Sequence, residues 1–98
     1  ITSIAAEEKL PTDFKLSQNY PNPFNPTTTI TYEIPEESFV SLKIFDLLGR
    51  EINTLVSEVK QSGKYEAKFN GENLTSGIYI YKLIAAGNEM SRKMLLIK

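Results

Sequence analysis

The 98-residue sequence contains no cysteine, no histidine and no tryptophan. Without cysteine there is no disulfide, no thiolate metal site and no thiol nucleophile. Without histidine the common ways of activating a serine or threonine lose their base. A lysine base stays formally open, but no motif supports one. Charge of one sign is also lacking: 11 basic and 12 acidic residues lie interspersed and leave a net charge of −1, so no electrostatic footprint for nucleic acid is present. No apolar run approaches the ~18 residues of a membrane-spanning helix, and no direct membrane insertion is expected. There is no Asp/Asn-rich loop with calcium spacing and no Gly-rich phosphate cradle. The carboxylates, among them Glu33, Glu36, Glu37, Asp46 and Glu51, fall on outward strand positions or in turns, where no acid–base pair forms. Catalysis, a cofactor and a metal are therefore not expected.

What is present is β-forming sequence. A chain of this length forms one domain with a thin core, burying roughly 60–70% of its unfolded surface. The opening "ITSIAAEEKL" lacks the basic and long apolar regions of a signal peptide; residues 1–12 read as the remnant of a linker to an upstream domain, with weak helical character that ends at Pro11. From residue 13 short β runs alternate with turn residues. "DFKLSQ" (13–18) reads as an edge strand. "TTTITYEI" (27–34) sets Ile30, Tyr32 and Ile34 on one face, the alternation of a half-buried strand. "FVSLKIFD" (39–46) groups Val40, Leu42 and Ile44, and Gly49 in "LLGR" suits a left-handed turn position. "EINTLV" (51–56) returns before the polar "SEVKQSG". "KYEAKF" (64–69) puts Tyr65, Ala67 and Phe69 inward and ends at Asn70-Gly71. "IYIYKLIAA" (78–86), apolar on both faces, reads as a central strand, Gly87-Asn88 as a tight turn and "EMSRKMLLIK" as the last strand. Seven runs at this spacing predict an all-β antiparallel sandwich; a small closed barrel is the competing architecture.

One segment breaks the pattern. "NYPNPFNP" (19–26) packs three prolines and three asparagines into eight positions. Proline fixes φ and lacks an N–H, so it cannot sit inside a ladder. An extended, polyproline-like corner is expected, with turns stabilised by Asn22 and Asn25, and with Tyr20 or Phe24 capping an open end of the sandwich.

Taken in order, "LSQNYPNPFNPTTTITYEIP", "VSLKIFDLLGREINTLV", "SGKYEAKFNG", "LTSGIYIYKL" and "RKMLLIK" resemble the C-terminal sorting domain of type IX (Por) secretion cargo proteins. That domain is related in fold to the immunoglobulin-like domain of the flagellar hook-capping protein. The resemblance covers about residues 13–98 and rests on the ordered set more than on any one motif. It implies an immunoglobulin-like sandwich that serves as a secretion and sorting signal. The matching recognition residues are Pro21, Asn22 and Pro23; Gly49, Arg50 and Glu51, with Ile52 beside them; Ser76, Gly77 and Tyr79; and Lys93, Met94, Leu95, Leu96, Ile97 and Lys98. It further implies outer-membrane type IX translocation and sortase components as partners and an upstream cargo domain in the same chain. Cargo would reach the cell surface or the medium through the periplasm, with removal of the tail by a sortase-like peptidase cutting within residues 1–12.

Several of these residues also have an ordinary structural role. A turn accounts for Gly49. The Tyr79 hydroxyl can bond upstream backbone as in the tyrosine corner of sandwiches. Arg50 is either a partner contact or a solvated side chain. "MSRKMLLIK" carries consecutive apolar residues, so it is either an internal strand or an edge to which a receptor adds its own strand. The edge reading predicts that deleting the last few residues spares the fold but traps cargo in the periplasm. The alternative function is an immunoglobulin-like spacer or carbohydrate-contacting accessory module of an extracellular enzyme, for which only Phe39, Phe45 and Tyr20 remain as candidate exposed aromatics.

Overall fold

The computed structural model describes residues 10–98; most of the linker expected over 1–12 lies outside them. Seven strands follow in order: β1 (Lys15–Leu16), β2 (Thr27–Ile34), β3 (Ser38–Phe45), β4 (Glu51–Lys60), β5 (Gly63–Asn70), β6 (Gly77–Ala85) and β7 (Asn88–Leu96). They form a three-stranded sheet ordered β1-β2-β5 and a four-stranded sheet ordered β4-β3-β6-β7, with every strand pair antiparallel. The described residues contain no helix. The sandwich is thus open, not a closed barrel.

Alternation builds the core. β2 contributes Ile30, Tyr32 and Ile34, β3 Val40, Leu42 and Ile44, β6 Tyr79, Tyr81, Leu83 and Ala85, and β7 Met94 and Leu96. Burying each large apolar side chain stabilises the fold by about 1.5–3 kcal/mol. The polar atoms that enter this core are partnered: the Tyr81 hydroxyl donates to the Ser17 carbonyl at 2.6 Å. Burial pushes its pKa up, because the phenolate would lose water.

Three local expectations change. The edge strand expected over 13–18 shrinks to two residues, Lys15 and Leu16; beyond them the chain touches β2 through Ser17 and again at Tyr20 before it crosses to the other sheet. β4 continues through the polar stretch to Lys60, ten residues in all. The last tight turn is Ala86-Gly87, not Gly87-Asn88. β6 is central as expected, with a strand on each side; on its outer face Ile78 and Ile84 stand exposed.

Candidate functional site

Because each pair is antiparallel, β2, β4 and β6 begin where β3, β5 and β7 end. The connections 17–26, 46–50 and 71–76 and the carboxyl end of β7 therefore share one end of the sandwich. The connections 35–37, 61–62 and 86–87 occupy the other. All four groups of resemblance-implied residues fall on the first end, although they are spread from Pro21 to Lys98.

The proline segment lies against β7. It does not run extended: the chain bends over 21–23 and again over 25–26, and the peptide bonds before Pro21, Pro23 and Pro26 are cis. Tyr20 first pairs with Thr29 of β2 through two backbone hydrogen bonds of 2.9 Å. Phe24 then pairs in parallel with Leu96. Its N–H donates to the Leu95 carbonyl at 2.9 Å, and its own carbonyl accepts from the Ile97 N–H at 3.0 Å. Side chains extend the contact along the strand. Asn22 Oδ1 accepts from the Leu95 N–H at 3.0 Å, Gln18 Nε2 donates to the Lys93 carbonyl at 2.7 Å, and Arg92 Nε donates to the Leu16 carbonyl at 2.7 Å.

Buried Asn19 holds the bend from inside. Its amide donates to Thr28 Oγ1 at 3.0 Å and to the Pro21 carbonyl at 3.1 Å, while the Thr28 hydroxyl donates to that same carbonyl at 2.9 Å. A buried amide left unpaired would be costly, so this satisfied group fixes the path. Phe24 is the ring that caps the open end, at 1% exposure; Tyr20 points away at 81%.

This arrangement corrects the strand-addition mechanism. β7 is an edge strand of its sheet, as that mechanism requires, but the free edge from Lys93 to Ile97 is already occupied by Gln18, Asn22 and Phe24. The apolar residues do alternate: Met94 and Leu96 enter the core, while Lys93, Ile97 and Lys98 are exposed and Leu95 is half-buried.

The 71–76 connection closes over the same end. Gly71 fits closely there: a Cβ would stand 3.2 Å from Leu96 Cδ2 and 3.4 Å from the Phe24 ring, so these side chains would have to give by a few tenths of an ångström. The Tyr79 hydroxyl donates to the Thr75 carbonyl at 2.7 Å, which is the expected upstream backbone bond. Ser76 Oγ accepts from the Lys98 N–H at 2.9 Å, and Lys98 Nζ donates to the Glu72 carbonyl. Pro21–Pro23, Ser76–Tyr79 and Lys93–Lys98 are thus brought together.

Gly49, Arg50 and Glu51 sit at the same end but across the sheet, along the row in which Phe45 pairs with Ile80 and Ile80 with Lys93. One side chain organises their turn. Asp46 accepts from the N–H groups of Leu48 at 2.9 Å and Arg50 at 3.0 Å through Oδ1, and from Arg50 Nε at 2.8 Å through Oδ2. Gly49 takes the left-handed conformation, with φ +84°, where a Cβ would be strained. Arg50 stays largely solvent-exposed while bound to Asp46, and Glu51 pairs with Lys43 at 3.4 Å. The turn thereby holds Leu47 and Leu48 in solvent, at 62% and 78% exposure.

Hydrogen bonds from the Arg50 backbone, and then from its guanidinium and the Leu48 backbone, lower the Asp46 pKa. A carboxyl lowered in the folded state stabilises above its unfolded pKa of about 4, and that contribution is lost as pH falls through the folded value. Asp46→Asn is therefore expected to flatten part of the acid limb of stability between about pH 4 and the folded pKa. Urea midpoints measured across that range check it; an unchanged limb would show that the turn adds nothing there.

The residues that the sequence did not mark are Gln18, Asn19, Thr28 and Asp46. Asp46 carried a local signal, an aspartate placed three residues before a turn glycine; Asn19 and Thr28 act within the 19–28 stretch, and Gln18 through Lys93, distant in sequence.

The sequence profile of the secretion system C-terminal sorting domain matches residues 18–98, spanning all four groups. No curated protein matches the chain. The chain belongs to the family of secretion system C-terminal sorting domains, the Por secretion tails: non-catalytic signals that direct type IX cargo across the outer membrane to the cell surface or the medium.

Proposed function

We propose that the type IX machinery reads this domain folded, at the end of the sandwich where Pro21–Pro23, Gly49–Glu51, Ser76–Tyr79 and Lys93–Lys98 converge. The observation that carries this is the occupied edge of β7. The Lys93 and Leu95 carbonyls and the Leu95 and Ile97 N–H groups are engaged by Gln18, Asn22 and Phe24, so a receptor meets side chains on a fixed surface. Lys93 and Leu95 supply the outward side of β7, Ile97 and Lys98 the two residues beyond it, Arg50 the neighbouring turn, and Pro21 and Pro23 the rim. Met94, Leu96 and Tyr79 act from beneath by holding that surface in place. The partners are outer-membrane translocation components. Residues 13–98 form the sorting unit, and residues 1–12 join it to cargo and offer the sortase its cleavage segment.

A periplasmic reporter fused to residues 13–98 and expressed in a type IX-competent cell is expected to reach the surface. A Lys93→Glu/Ile97→Ser form should keep its unfolding midpoint and lose most of that export. A wild-type reporter left in the periplasm would refute the sorting assignment of 13–98. Undiminished export of the double variant would refute the surface.

A further inference from the structure

The four outer edges of the two sheets are not equivalent. β1 is two residues long, and β7 is covered from Lys93 to Ile97. β4 is long but its register shifts twice against β3, at Leu42/Lys43 and at Ile44/Phe45; such irregularities turn an edge away from regular pairing. β5 differs from all three. It pairs with β2 over eight residues without a shift, and no other strand lies on its far side.

Which of its main-chain groups are free follows from β2. Thr29 and Thr31 of β2 bond toward Tyr20 and Ser17, so the alternate residues Thr28, Ile30 and Tyr32 bond toward Phe69, Ala67 and Tyr65 of β5. Lys64, Glu66, Lys68 and Asn70 accordingly turn their N–H and C=O groups outward. Their side chains are exposed on the solvent face. The four ion pairs among the described residues include neither Glu66 nor Lys68.

We propose that β5 pairs antiparallel with β5 of a second copy of this chain, on a two-fold axis at Ala67. In this register Glu66 faces Lys68 and Lys68 faces Glu66, while Tyr65 lies opposite Phe69 on the core side. The outward main-chain groups of one copy then meet those of the other. Edge lysines ordinarily oppose such pairing, and here they select its register. Sliding either strand by two residues sets Lys68 against Lys64, or Lys68 against Lys68. A parallel, in-register pair sets every charge against its like, and like charges directly opposite are unfavourable. An axis at Tyr65 also sets Glu66 against Lys64 but pairs only residues 63–67, whereas the axis at Ala67 pairs residues 64–70 and makes both facing charge pairs attractive, which is the self-complementarity of a closed dimer.

Sedimentation equilibrium of the full chain over a concentration series is expected to show a reversible monomer–dimer transition. Glu66→Lys and Lys68→Glu each make both facing pairs repulsive and should weaken dimerisation about tenfold or more. A 1:1 mixture of the two variants restores both attractions and should dimerise as the wild type does. Far-UV circular dichroism verifies that each variant is folded, as expected for exposed positions. A monomer at every concentration overturns the proposal, as does a dimer indifferent to both swaps or a mixture that fails to recover.

Discussion

Phe24→Ala is expected to lower the unfolding free energy by about 3–5 kcal/mol, a large part of the ~5–15 kcal/mol that holds a domain of this size. The ring is 1% exposed and meets Phe69 edge-to-face, with centroids 6.1 Å apart and an interplanar angle of 64°. Leu96 and Gly71 close around it. Truncation would leave a cavity bounded by strands of both sheets, which cannot collapse without moving one sheet against the other. The bend at 21–26 would also lose its anchor, so the amide protons of Leu95 and Ile97 should exchange with solvent far sooner than in the wild type. Urea denaturation gives the energy and native-state hydrogen exchange gives the location. A double-mutant cycle with Leu96→Ala should show a coupling of about 0.5–3 kcal/mol. A loss below ~1 kcal/mol, or no coupling, would mean that the ring is not seated as described.

Removing residues 94–98 is expected to abolish cooperative folding, against the sequence-based expectation that a short terminal deletion spares the fold. Met94 and Leu96 are 1% and 0% exposed, and truncating either to alanine alone should cost about 2–5 kcal/mol. The deletion also removes the partners of Gly77, Ile78 and Tyr79 in β6 and the seat of Phe24. Deleting only Ile97 and Lys98 is the informative contrast. Ile97 is 49% exposed, so this shorter deletion should retain a single cooperative transition with a modestly lower midpoint. Differential scanning calorimetry of the two deletions distinguishes the cases. A folded 94–98 deletion would show that the core does not need the end of β7. Export assays on that longer deletion report folding, so recognition is better probed through outward residues such as Lys93.

Strands with one wet and one dry face were legible. β2 begins and ends where its Thr/Ile alternation predicts, and the inward sets of β3 and β5 are those the pattern assigns. The Tyr79 hydroxyl bond and the Gly49 turn were legible as well, since each is settled by residues no more than four positions apart. β4 was cut short because an edge strand that covers little core has no face to mark, and its second half reads as a polar loop. β6 was legible as a central strand from its apolar residues on both faces, although Ile78 and Ile84 stand exposed.

The candidate site divides in the same way. Its groups were named from resemblance, but their convergence follows from strand direction, and the closure of β7 by the proline segment depends on partners such as Gln18 and Lys93. Proline chemistry shows only where a ladder stops. It carries no information about where the chain goes next.

The pairing of Phe24 with Leu96 also bears on timing. Leu95 and Leu96 must exist before Phe24 gains its partners on β7, so a growing or threading chain cannot seat this end of the sandwich until the end of β7 has emerged. Contacts this distant in sequence form late and slowly. The domain therefore stays unfinished until its last strand is present, and its final shape certifies that this strand arrived.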